Sequence, residues 1–93
     1  MARSEVLVDD ERFRVTRWTI DPGDRIDPHV HELDYVVVPL RDATMHVVDA
    51  DGTETEAVLR VGTSYARVAC AHHEVQNRGD VVVEFVEVEA KRG

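Results

Sequence analysis

Alternating apolar and polar side chains indicate that most of the chain forms β-strands. Residues 14–20 alternate with a period of two, which is typical of a strand with one buried face. The eighteen valines strengthen this pattern, because β-branched side chains favour strands. Further strands are predicted over residues 33–40, 44–48, 55–59, 63–68, 74–76 and 81–88. No segment has the spacing of an amphipathic helix, so the pattern predicts an all-β chain with little or no helix.

Turn-forming residues separate these apolar segments. Residues 21–24, 49–52 and 77–80 are rich in Asp, Asn, Gly and Pro, and the last two segments are typical of β-hairpin turns. Short strands joined by such turns predict a sandwich or barrel, here a single domain over residues 1–93. Residues 1–4 and 90–93 are expected to be frayed ends.

Composition and charge narrow the class of protein. The 93 residues carry a net charge of −8, which argues against nucleic acids and anionic membranes as partners. No apolar run is long enough for a signal peptide or a membrane span, so the cytoplasm is the expected location. Cys70 is the only cysteine; it excludes an intrachain disulfide and is expected to be a small buried side chain. A chain this small with valine-rich strand edges is also expected to form a homodimer.

The histidines are the clearest candidates for chemistry. His29 and His31 stand two positions apart, so in a strand both rings project from the same face. A third ring is expected from the adjacent pair His72 and His73, which face opposite ways, and spacing alone does not choose between them. Neutral imidazoles suit a divalent transition metal. His46, between two apolar residues, is expected at the surface.

Two segments resemble the conserved motifs of the cupin superfamily. Residues 23–31 are similar to the first motif, a glycine followed by the His-x-His pair, and residues 62–77 are similar to the second. The resemblance implies a double-stranded β-helix barrel of two packed antiparallel sheets. It also implies that His29, His31 and His73 hold one divalent ion, iron, manganese, nickel, copper or zinc, and that His72 lies outside the pocket.

The chain departs from the first motif at its metal-binding glutamate. That position falls at Tyr35 or Val36, and Tyr35 has the parity to face the same side as the histidines. Tyr35 is expected either to act as a proton donor or orienting group, or to be a packed aromatic residue. Asp34 would need a β-bulge to turn inward. We therefore expect three histidine ligands, with water or substrate completing the metal shell.

The resemblance to small bacterial cupins, some of which are assigned to β-alanine degradation, suggests a metal-dependent enzyme. An oxygenase or an isomerase acting on a small polar molecule fits, with Arg17, Arg25 or Arg67 pairing with a substrate carboxylate. The alternative is a binding or sensor module that holds a small molecule or metal without catalysis, because the fold alone does not define function.

The sequence also predicts the positions of three polar residues in or near the last predicted hairpin. Glu84 and Glu87 interrupt the apolar run 81–88. We expect them at the exposed rim, and the alternative is that one of them faces into the barrel. Asn77 is expected to shape the hairpin rather than to touch a substrate.

Overall fold

The computed structural model describes residues 2–69 and 72–91, without the side chain of Val30. Cys70 lies outside the described residues, so its expected burial is not addressed. The described part contains nine strands and no helix, and hence no helix that could cross a membrane. The strands are β1 (Arg3–Asp9), β2 (Phe13–Ile20), β3 (Arg25–Val30), β4 (Tyr35–Pro39), β5 (Ala43–Asp49), β6 (Glu54–Leu59), β7 (Tyr65–Arg67), β8 (His72–Gln76) and β9 (Val83–Ala90).

The strands form two antiparallel sheets. One has five strands in the order β1-β2-β9-β4-β7, and the other has four in the order β3-β8-β5-β6. Most strands that are neighbours in a sheet are distant in the sequence, which is typical of a barrel in which early and late strands of the chain pair with each other. The prediction of an all-β barrel of two antiparallel sheets is confirmed.

The core lies between the sheets. On β4, Tyr35 and Val37 are buried while Val36 and Val38 on the opposite face are half-buried, as the alternation of a strand requires. Both sheets contribute to the same cluster of buried apolar side chains. Its members are Ile20, Tyr35, Val37, Met45, Leu59, Val75, Val83 and Phe85.

Asn77 shapes the turn between β8 and β9, as expected, but the prediction that this turn closes a β-hairpin is wrong, because β8 and β9 lie in different sheets. The turn at residues 49–52 does join the paired strands β5 and β6. The Asn77 side-chain amide donates to the carbonyl oxygens of Ile20 at 2.9 Å and Val81 at 2.8 Å. Its side-chain oxygen accepts a hydrogen bond from the Gly79 amide at 3.0 Å. One 2%-exposed side chain thus connects the end of β2 to the turn.

Strand β1 was not predicted, and the expectation of frayed ends is wrong where it can be tested. Arg3 and Ser4 pair with β2, and Ala90 pairs with Phe13 at the end of β9. All seven residues of β1 are exposed, because the strand is the outer edge of its sheet. Without a buried face, its sequence has no clear apolar alternation.

Candidate metal centre

Strand register brings His29 and His73 together. His29 is paired directly with His73 across β3 and β8, and Val30 is paired with His72. Directly opposed residues of antiparallel strands project from the same face, and the two ring centroids are 5.0 Å apart. His72 therefore projects from the other face, where it is exposed. The register selects His73 over His72, a choice that spacing alone left open.

His31 completes the cluster from the segment that follows β3. It is 6% exposed, and its ring centroid lies 4.6 Å from that of His29 and 5.1 Å from that of His73. One ring nitrogen from each histidine lies within 4.8 Å of the other two. The three histidines are positioned to hold a metal ion. His46 is not part of this cluster; its Nε2 lies 3.5 Å from Glu56.

The chemistry of the donor set fits a metal ion. His29 Nδ1 lies 2.8 Å from the Asp27 carbonyl oxygen, which can only accept, so Nδ1 is the donor and Nε2 is the nitrogen that faces the other histidines. His29 Nε2 is 2.9 Å from His31 Nε2. Two nitrogens bound to one ion at about 2.1 Å each can be at most about 4.2 Å apart, so this pair already has a suitable spacing.

Burial keeps two of the rings neutral. It lowers the pKa of His31 to about 4, with further lowering by the neighbouring His29 and His73. Burial, followed by His29, also lowers the pKa of His73. Because only a neutral imidazole binds a metal, both rings are in the ligand form at neutral pH.

Glu87 approaches His31 from the opposite sheet. It is 9% exposed, its Oε1 accepts a hydrogen bond from Trp18 Nε1 at 2.9 Å, and its Oε2 is 3.6 Å from His31 Nε2. Burial raises the pKa of Glu87 to about 7, although the Trp18 hydrogen bond lowers it.

The expectation that Glu84 and Glu87 lie at an exposed rim is wrong. Glu84 is 8% exposed and is covered by Arg17 and Arg41. Glu87 stands two positions after the core residue Phe85 on β9, so both side chains project from the same face. This two-residue spacing in the sequence indicates that Glu87 faces into the barrel.

A cavity of about 400 Å³ opens beside the histidines, and its lining includes His29, Tyr35, Arg67, His73 and Glu87. The size lies within the range of small-molecule sites.

Of the three arginines considered for substrate binding, only Arg67 lines this cavity. Its guanidinium lies 4.6 Å from the centroid of the Tyr65 ring. Arg17 is bound to Glu84, and Arg25 is paired with Asp27 at 3.2 Å.

Comparisons with known proteins support the fold and identify the family. None of the protein-family models matches the chain. The β-alanine degradation protein BauB of Pseudomonas aeruginosa is 41% identical over 86 residues, which cover 92% of this chain and 90% of BauB. A cupin domain from Bordetella pertussis has a crystal structure that matches with a TM-score of 0.93 at 36% identity, covering 98% of this chain and 94% of that one.

The chain is a member of the cupin family. A cupin with a double-stranded β-helix fold from Methanocaldococcus jannaschii matches with a TM-score of 0.82 over 98% of this chain and 81% of that one. At 16% identity, that match supports the fold alone.

In this cupin, Tyr35 lies inside the barrel. Its ring stacks on His31 with centroids 4.0 Å apart and planes inclined by 23°. Burial, followed by the charge of Glu87, raises the pKa of its hydroxyl above the usual value, so the hydroxyl keeps its proton. Tyr35 is thus both packed in the core and part of the cavity wall, so it meets both of the alternatives that its sequence left open. A catalytic role for Tyr35 stays a prediction.

Asp34 does not replace the missing motif glutamate in this cupin. It is exposed, and its Oδ1 accepts a hydrogen bond from the Ala69 amide at 2.7 Å. The side chain therefore fixes the loop that follows β7.

Proposed function

We propose that this cupin is a metal-dependent enzyme, of the oxygenase or isomerase type, that acts on a small molecule with a carboxylate group. The observation that carries the proposal is the convergence of three histidine rings beside a cavity large enough for a small substrate. A structural metal site is closed by protein ligands, whereas a catalytic site keeps positions open to substrate.

In this proposal, His29, His31 and His73 hold one divalent transition metal. Three imidazoles accept iron, manganese, nickel, copper or zinc. The bound ion would supply Lewis-acid chemistry. The chain's own residues bind and orient the substrate beside it and exclude water from the barrel.

Arg67 and Tyr35 are proposed to orient the substrate. Arg67 is a permanent cation in the wall of the cavity, and no ion pair is found for it within residues 2–69 and 72–91. A carboxylate would provide that partner. Tyr35 offers a protonated hydroxyl close to His31. The name of the Pseudomonas relative refers to β-alanine, which supports a small β-amino acid as the substrate class.

We expect metal-loaded protein to turn over one of a panel of β-amino acids and small thiols, assayed with and without oxygen. Arg67→Gln should raise KM by about tenfold or more with little change in kcat, because a hydrogen bond to a charged group contributes about 1.5–3 kcal/mol. Dependence on oxygen would indicate the oxygenase type, and turnover without oxygen the isomerase type.

The matched control is Arg25→Gln, which removes an exposed arginine that does not line the cavity. Equal KM values for the two variants would contradict the role of Arg67. Binding of these molecules by calorimetry without turnover would favour the alternative, a binding or sensor module.

We also propose that the chain forms a homodimer through the outer face of the five-stranded sheet. Register places half-buried valines side by side on that face. They are Val15, Val36, Val38, Val86 and Val88. Light scattering at micromolar concentration should give the mass of a dimer, and Val88→Glu should convert it to a monomer. Val81→Glu, in the β8–β9 turn, is the control; a monomeric wild-type protein would refute the proposal.

A further inference from the structure

Strand β9 carries three buried glutamates, and two of them are neutralised by arginines. Glu84 accepts hydrogen bonds from Arg17 at 3.0 Å and from Arg41 at 3.1 Å. Glu89 accepts two from Arg14, at 2.8 and 3.3 Å. Because a buried carboxylate is costly unless a cation is next to it, the arginines account for the burial of these two.

Glu87 is buried to the same extent as the other two but has no such partner. In the described part of the chain, no lysine or arginine forms an ion pair with it, and its hydrogen bond comes from the neutral indole of Trp18. Its free oxygen, Oε2, faces His31. When it is ionised, a carboxylate in this position would be stabilised by a positive charge on the side where the histidines converge.

The distance between Glu87 and His31 suits a shared ion. Glu87 Oε2 is 3.6 Å from His31 Nε2, which is below the limit of about 4.2 Å for two ligand atoms bound to one metal. His31 Nε2 is also the atom that lies 2.9 Å from His29 Nε2. Glu87 therefore approaches the ligand nitrogen of His31 rather than the back of its ring.

We propose that Glu87 is the carboxylate ligand of the metal centre, and that Trp18 is a positioning residue that holds Oε1 so that Oε2 faces the ion. This inference rests on the metal site proposed above, and a six-coordinate ion held by three histidines and Glu87 would still keep two positions open to substrate. The glutamate of the first cupin motif would come from β4, where Tyr35 now stands. Here the carboxylate comes from β9, so ligands from both sheets meet at the ion.

The test is the binding of Co²⁺ to chelator-treated protein. Trp18 is the only tryptophan, and its contact with Glu87 makes its fluorescence a reporter for the site. Glu87→Gln should lower Co²⁺ affinity by about a hundredfold, at or beyond the upper end of the 10–100-fold loss for partners outside the ligand shell. It should also shift the visible absorption bands of bound Co²⁺. Glu89→Gln, which removes the same charge from the same face of β9, should leave affinity within about threefold.

Trp18→Phe and Glu87→Asp give independent checks. Removing the indole N–H should weaken Co²⁺ binding by about tenfold, measured by the visible absorption of bound Co²⁺ because this variant has no tryptophan. The Asp variant at position 87 should bind Co²⁺ more tightly than the Gln variant. A glutamine side chain there could still accept the Trp18 hydrogen bond, so we expect the Glu87→Gln variant to fold, and circular dichroism checks this. If it does not fold, the Asp and Phe variants decide, and wild-type affinity in both would overturn the inference.

The outcomes separate the two proposals. If Glu87→Gln binds Co²⁺ with wild-type affinity and an unchanged spectrum, the role of Glu87 is refuted and the histidine site stands. If wild-type protein does not bind Co²⁺, the metal site is refuted and the Glu87 inference with it.

Discussion

Replacing His73 by alanine is expected to lower the affinity of the protein for a divalent metal by more than a hundredfold. The change removes one of three converging ring nitrogens, and loss of a direct ligand should exceed the 10–100-fold loss caused by outer partners. Metal content of the purified protein and titration of the chelator-treated protein both measure the effect.

His72→Ala is the matched control for this experiment. It removes the same side chain from the adjacent position on β8, but the register directs His72 to the exposed face. We expect metal affinity within about threefold of wild type. Equal metal content in the His73 and His72 variants would contradict the assignment, because only one of the two rings faces the cluster.

The histidine cluster could be predicted largely because it depends on local parity. His29 and His31 are two positions apart, and their rings lie close together although β3 ends at Val30, before His31. The choice between His72 and His73 is different, because it depends on which residue of β8 is opposite His29. Register is a property of two distant strands, and no single segment contains it.

Glu87 was expected at the exposed rim because its polarity was taken as a sign of exposure. Along β9, every second residue faces inward whatever its chemistry, and Glu87 follows Phe85 in that series. A charged residue with core parity is therefore a candidate for a functional site. The hydrogen bond from Trp18 is a tertiary contact across 69 positions, and the sequence of neither strand indicates it.

The barrel could be predicted because its inner strands have one buried face each, whereas β1 has none. The pairing of β1 with β2 depends on backbone hydrogen bonds along the sheet edge. Backbone hydrogen bonds place few demands on the side chains, so an edge strand need not show the apolar–polar alternation by which strands are predicted.

Asn77→Ala is expected to lower the free energy of unfolding by about 2–4 kcal/mol. The substitution leaves the carbonyls of Ile20 and Val81 and the amide of Gly79 without their side-chain partner, and each buried group left unsatisfied costs about 1–3 kcal/mol. The residual penalty depends on how much water reaches the turn. Urea unfolding of chelator-treated protein measures the change without a contribution from bound metal.

Arg78→Ala is the control for Asn77, because it changes the next residue of the same turn, which is exposed. Arg78 pairs with Glu54 and Gln76 at the surface, and an exposed ion pair of this kind contributes less than about 1 kcal/mol. Equal effects of the two variants would contradict the role of the buried amide. Since Asn77 directly follows β8, the strand that carries His73, and bonds to the end of β2, its loss should loosen β8 and weaken metal binding. That loss should be much smaller than for His73→Ala, because all three ring nitrogens remain.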